Sequence, residues 1–326
     1  MVSGSAAPLD TADTDGRRSL VGGTEFDVVT GGLSYIGKYI TRRLLSLGKK
    51  VLVLTGHPGR QNPFGDQVKI APFDFDDVRK LISRLQGATT LYNTYWVRFS
   101  YGHVSFDQAV EHTKRLIKAA EEAGIRKIVH ISVSNPSDNS PFPYFRGKAV
   151  LEKVVIQSKL PYAIIRPTLV FGGAEEILMN NIAWLLRRFP MFAVPKPGDY
   201  RLQPIFVEEV AELAVNAAQS ADNMIRDAAG PDILTFEAMV RLIAAKLGSR
   251  SLIFRLSPEL ALFLLKLLNM MLNDVVLTRD ELGALMANLL VSKHPPDGQV
   301  RLSDWLDKNA PALGRRYASE LNRHYR

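Results

Sequence analysis

No cysteine occurs in the chain. That absence excludes disulfides, thiolate metal sites and cysteine nucleophiles, and it fits a reducing, cytoplasmic setting. The six histidines show no metal-ligand spacing, so no metal centre is expected. Long apolar runs are missing too. The nearest approach, residues 260–272, is broken by Lys266 and Asn269 and falls short of the roughly 18 residues that span a bilayer. Residues 1–23, rich in Ser, Gly, Ala and Asp, lack the apolar core of a signal peptide and read as a flexible tail. A formal net charge of +8 comes from Lys and Arg dispersed along helices rather than clustered with aromatics. A nucleic-acid surface is therefore not expected, whereas attraction to anionic cofactors or lipid head groups is.

What the chain has is 326 residues at 46% apolar composition, enough for a full core, and one organising stretch. Residues 26–37, FDVVTGGLSYIG, read as a buried strand, a glycine turn and the start of a helix with Ile36, Ile40, Leu44 and Leu47 on one face. Free backbone N–H groups and the helix dipole converge at such a junction, which suits a pyrophosphate. Gly31, Ser34, Tyr35, Ile36 and Gly37 are the expected contacts. Ser34 stands where the usual glycine fingerprint has its middle glycine, and its hydroxyl either crowds a phosphate or bonds it.

A second strand, residues 51–55, runs into GHPGR with no carboxylate to receive ribose hydroxyls. His57 and Arg60 there would welcome a 2′-phosphate, so NADP is expected, with NAD as the alternative. A third strand, residues 68–72, ends in FDFDD. Asp74, with Phe75, lies where adenine would be bound, or else Asp74 caps the helix 77–85. The fourth strand, residues 89–95, brings Asn93 and Thr94 toward the middle of the cofactor. A helix over 105–123 and a fifth strand over 127–132 complete a β-α alternation, which predicts a doubly wound parallel sheet of about seven strands between residues 26 and 207. The dinucleotide-binding Rossmann-like domain is assigned to residues 24–172. Residues 173–326 are expected to form a smaller, mainly helical substrate lobe, with 202–207 returning to the sheet.

Candidate chemistry follows the fifth strand. Ser132 and Ser134 close it, and Tyr144 and Lys148 then share a helix face at a spacing of four. A phenol is a poor acid or base at neutral pH, but a neighbouring ammonium favours its phenolate, and a strand-end serine offers a hydrogen bond to a substrate oxygen.

TGGLSYIG, the Tyr144/Lys148 pair, KAVLEKVVIQSKLPYAIIRPTLVFG and QPIFVEEVAELA together resemble the extended or atypical short-chain dehydrogenase/reductase superfamily, over roughly residues 26–218. The likeness is closest to its NAD(P)H-binding, epimerase-like branch, which includes an accessory subunit of respiratory complex I. The resemblance implies Tyr144 as acid/base, Lys148 on the nicotinamide ribose, Gly31 and Gly37 flanking the pyrophosphate and Pro167 near the nicotinamide. It leaves open whether Ser132, Val133 or Ser134 takes the catalytic serine position. It implies an oxidoreductase or epimerase acting on a small-molecule carbonyl or secondary alcohol, or a non-catalytic NAD(P)H-binding sensor or accessory protein.

The apolar stretch over 176–188 hints at a lipophilic substrate or at plain packing. Residues 258–272 are apolar almost all round and suit a core helix, an oligomer contact or a segment peripheral to a membrane with Lys266 snorkelling. The tail from Trp305 looks like a solvated basic helix.

Overall fold

The glycine turn sits where a parallel sheet reverses its winding. In the computed structural model, which describes residues 25–173 and 176–325, the first half of the chain alternates strand and helix. The elements are β1 (Phe26–Thr30), α1 (Tyr35–Ser46), β2 (Val51–Thr55), β3 (Val68–Pro72), α2 (Val78–Leu85), β4 (Ala88–Asn93), α3 (Phe106–Glu122), β5 (Lys127–Ile131), α4 (Pro143–Gln157) and β6 (Tyr162–Pro167). The expected flexible tail, residues 1–23, lies outside the described residues.

The second half is more broken. It comprises β7 (Leu169–Phe171), α5 (Leu178–Arg188), β8 (Met191–Pro195), β9 (Arg201–Leu202), β10 (Pro204–Phe206), α6 (Val207–Gln219), β11 (Met224–Ala228) and β12 (Leu234–Thr235). It ends with α7 (Phe236–Leu247), β13 (Leu252–Leu256), α8 (Pro258–Leu272), α9 (Arg279–Met286), α10 (Leu302–Asn309) and α11 (Glu320–His324).

Seven parallel strands form the main sheet in the order β11-β6-β5-β4-β1-β2-β3. Alternate side chains feed opposite layers. Val29, Tyr92, Val129 and Ile165 pack on α1 and α6. Val28, Leu91, Ile128 and Ile164 pack on α2, α3 and the end of α4. Burial on both faces explains why these strands read as nearly continuous apolar runs.

The expected number of strands is met, but the seventh is not the one expected. Residues 202–207 do not return to the sheet. Gln203 interrupts them, its side chain bonded to the Gly230 carbonyl and the Ser292 amide. The flanking pieces form short ladders, β9 with β12 and β10 with β7. Met224–Ala228 takes the edge instead, beside β6. A separate core of Met179, Ile182, Phe192, Val240, Trp305 and Leu306 holds α5, α7 and α10 together.

Two carboxyl-terminal expectations are revised. The tail is no solvated helix: Leu321 is buried and Tyr325 stacks on Phe99 with ring centroids 5.0 Å apart. Asp274 anchors it, accepting from the Glu320 and Leu321 amides and from the Tyr317 hydroxyl. Nor is α8 a core helix, since Ala261 is its only buried residue.

Candidate active site

β1 has β2 on one side and β4 on the other, so chain winding reverses at its carboxyl end, where open α/β sheets bind ligands. The turn there is tightly held. Gly31 adopts φ +63°, which a side chain disfavours, and its N–H donates to the Leu54 carbonyl. Gly37 lets α1 close on this turn, for a Cβ there would lie 2.3 Å from the Gly31 carbonyl oxygen. The Thr30 hydroxyl donates to Asn93 Oδ1 and accepts from the Thr94 and Tyr95 amides, locking β1 to the end of β4. Ser34 begins α1 without capping it through its side chain. A glycine turn running directly into a helix amino end is a geometry that fits a dinucleotide pyrophosphate.

The other sequence candidates are dispersed. Thr94 lies against Gly31 and Gly37. Asn93 is fully buried, its amide engaged with Thr30 and with His130 Nδ1. Asp74 is neither free nor a helix cap: Arg84 and Lys80 hold its carboxylate, and Asp77 caps α2. Phe75 is buried in a stack with Phe73 and His112. The Arg60 guanidinium donates to the backbone carbonyl of Arg323, and burial, followed by the Arg323 charge, lowers its pKa. The His57 amide bonds Thr55 Oγ1. Pro167, buried at the end of β6, accepts the Ser134 amide at its carbonyl.

Tyr144 and Lys148 share α4, as the spacing requires, yet their electrostatics differ from the expectation. Lys148 is buried, donates to the Ile131 carbonyl at 2.7 Å and lies 4.8 Å from the centre of the Trp96 ring. Burial pulls its pKa down to about 7, against the opposing charge of Glu152, which is itself paired with Arg166. Tyr144 is pushed up, first by burial and then by the Glu281 carboxylate, with Arg98 opposing. The phenol is therefore held neutral rather than tuned toward phenolate, because desolvation and the Glu281 carboxylate outweigh Arg98.

At the end of β5 it is Val133 that lines a large cavity with Tyr144. Ser132 Oγ is buried without a hydrogen-bond partner among the described residues, as are His130 Nε2 and Trp96 Nε1. Ser134 Oγ donates to the Leu289 carbonyl at 2.7 Å.

The cavity, about 1080 Å³, extends from Tyr35 and Ile36 at the glycine turn to Tyr144, and onward between α5 and α8. Its walls are chiefly aliphatic and aromatic, among them Leu178, Ile182, Phe192 and Leu265. Polar groups gather at the Tyr144 end. Arg98 bonds Glu281 at 2.5 Å, Glu320 at 3.1 Å and the Val276 carbonyl at 3.0 Å. Burial acts to lower the Arg98 pKa, but the two carboxylates outweigh it and raise it. Sequence reasoning missed Arg98, Trp96 and Glu281. A lone arginine in the aromatic loop after β4 was the only local signal.

Residues 31–176 match the sequence model of a family described as NAD(P)H-binding. Residues 31–176 therefore carry the sequence pattern of an NAD(P)H-binding domain. One relative is the mitochondrial NADH dehydrogenase [ubiquinone] 1 alpha subcomplex subunit 9 of Arabidopsis thaliana, 25% identical over 241 residues, which cover 71% of this chain. The match spans only 59% of that relative's length. Among solved structures, a Citrobacter triphenylmethane reductase superposes with a TM-score of 0.71 at 14% identity, covering 88% of this chain and 99% of that one. A Staphylococcus aureus nucleoside-diphosphate-sugar epimerase gives 0.68 at 14% identity, with 86% and 99% covered. These structures share the NAD(P)H-binding domain's fold. Among the described residues, no helix is long and apolar enough to cross a membrane.

Proposed function

We propose that this protein is an NADPH-dependent reductase of lipophilic carbonyl compounds, with Tyr144 delivering the proton. One observation carries the reading: a single apolar cavity joins the glycine turn, at Tyr35 and Ile36, to the Tyr144 phenol. The amides opening α1 would hold the pyrophosphate between Gly31 and Gly37, with the Ser34 hydroxyl beside them. Lys148 would meet the nicotinamide ribose, Pro167 would lie near the ring, and His57 and Arg60 would face a 2′-phosphate. When bound, the cofactor supplies hydride. The phenol stays protonated at neutral pH and can pass its proton to the alkoxide that forms, a stronger base than a phenolate.

The test is loss of reduced-nicotinamide absorbance against a panel of apolar aldehydes, ketones and enones. Tyr144→Phe should lower turnover by a factor on the order of 10² or more while cofactor affinity stays nearly unchanged. Turnover at the parent rate would refute the role. Arg60→Ala should weaken NADPH binding more than NADH binding; equal losses would remove the case for NADP.

A second reading is a non-catalytic NAD(P)H-binding accessory protein or sensor. Val133 facing Tyr144, where a hydroxyl would assist an oxyanion, favours it. So does the complex I subunit among the relatives. Tight cofactor binding with no turnover across the panel would decide for it.

A further inference from the structure

Helix α8 presents apolar residues on both of its faces. Toward the protein, Ala261, Leu265 and Leu268 line the cavity. Away from it, Leu260, Phe263, Leu267, Met270 and Met271 are exposed, Phe263 at 56%, Met270 at 64% and Met271 at 61%. A helix built this way satisfies neither solvent nor a solid core. The patch continues past the helix. Leu252 on β13 and Met191 on β8 are paired neighbours and are 63% and 58% exposed. Met191, Phe189 and Leu264 are exposed and also line the cavity, so the outer patch and the inner walls are one continuous apolar surface. Contiguous apolar exposure of this kind marks an interaction surface.

The partner can be argued from charge and length. Lys266 lies exposed within the apolar face of α8, and Arg188 and Arg250 are exposed at the ends of the elements that frame it, with Glu259 the acid on the helix itself. Arg188 also stands over the Trp184 ring. The whole chain carries +8. Apolar side chains with interspersed cations suit an anionic lipid surface, where lysine stems lie along the acyl boundary and their ammonium groups reach the head groups. At 15 residues, α8 is too short to span a bilayer and long enough to lie in its plane.

We propose that the outer face of α8, with Met191 and Leu252, seats on an anionic bilayer, and that the cavity behind it draws a long-chain lipophilic substrate from that bilayer. The substrate half rests on the reductase reading above; the docking half does not. Oriented this way, a hydrocarbon chain passes from the bilayer past Phe189 and Leu264 into the aliphatic walls, and its oxygen-bearing head reaches Tyr144.

The test uses the full chain with vesicles of phosphatidylcholine alone and of phosphatidylcholine with phosphatidylglycerol, read by cosedimentation. The parent protein should bind the anionic vesicles, less so at high salt. Met270→Ser with Met271→Ser should reduce partitioning on the order of 10-fold, and Lys266→Glu should weaken it in anionic vesicles only. Both sites are exposed, and an unchanged NADPH fluorescence titration and circular dichroism spectrum would show that the variants fold. Displacement of Nile red by dodecanol but not by ethanol reads the cavity without any turnover. Absence of vesicle binding by the parent, or binding indifferent to these substitutions, overturns the docking. Light scattering that shows a stable dimer, dissolved by the methionine substitutions, also overturns it, because a second copy then covers the patch. Failure of dodecanol to displace the dye overturns the substrate class. Loss of NADPH binding or carbonyl turnover alone would instead defeat the reductase reading and leave the docking standing.

Discussion

Replacing Gly37 by alanine should be among the most damaging one-carbon changes in this protein, and a series of three glycines shows why. At Gly59 an added Cβ meets nothing within 4 Å and the backbone is ordinary, so Gly59→Ala should change stability by no more than about 0.5 kcal/mol, with restriction of the unfolded chain favouring alanine. At Gly248 space is equally open, but φ is +62° at the end of α7, so the penalty is backbone strain alone, about 1 kcal/mol. At Gly37 the new carbon would stand 2.3 Å from the Gly31 carbonyl oxygen and 3.0 Å from Thr94 Oγ1. A backbone carbonyl has no rotamer to yield, so α1 must retreat by about 1 Å to reach ordinary contact. We expect a loss of about 3 kcal/mol, the upper end for overpacking. Because that retreat opens the phosphate cradle, NADPH affinity should fall by about 10-fold or more. Urea titration followed by circular dichroism gives the stabilities, and NADPH fluorescence gives the affinity. If Gly37→Ala unfolds within about 0.5 kcal/mol of Gly59→Ala, the close approach of α1 to the turn is not the constraint inferred here.

Glu176 is buried and its carboxyl is pushed up to about 7, first by burial and against the helping amides of Met179 and Asn180. Its protonated form is the one the fold favours, so its contribution is complete below about pH 4.5 and lost as pH rises through about 7. Between those values the parent should lose about 3 kcal/mol that Glu176→Gln does not lose; parallel slopes in urea titrations of the two proteins would refute this. Arg98→Met should destabilise by about 2–3 kcal/mol, less than for a wholly buried pair because the guanidinium is about a quarter exposed. Adding Glu320→Gln should recover part of the loss, and simple additivity of the two changes would show that they are not coupled.

Local chemistry was enough to read the strand, glycine turn and helix at residues 26–46, because apolar periodicity and the steric freedom of glycine act within a few residues. It was also enough for α8 as an element and for Tyr144 and Lys148 on one helix face, since a spacing of four sets a shared face in any α-helix. The parallel, doubly wound sheet followed from the alternation of those elements.

What local pattern could not decide was which face meets what. Alternation along 132–134 says that Val133 points opposite to its serine neighbours, but only the placement of α4 and α9 turns Val133 toward Tyr144 and gives Ser134 to Leu289. The edge strand went to Met224–Ala228 rather than 202–207 because pairing with β6 is a contact between distant segments. Arg98 meets Glu281 and Glu320 from 183 and 222 residues away, and Arg60 meets the Arg323 carbonyl across 263. No residue pattern near either arginine encodes those partners. Sequence determined the elements and the cradle, through forces that act along a few bonds; the cavity, its neutral phenol and its exposed apolar mouth exist only because folding brings remote segments together and leaves one helix uncovered.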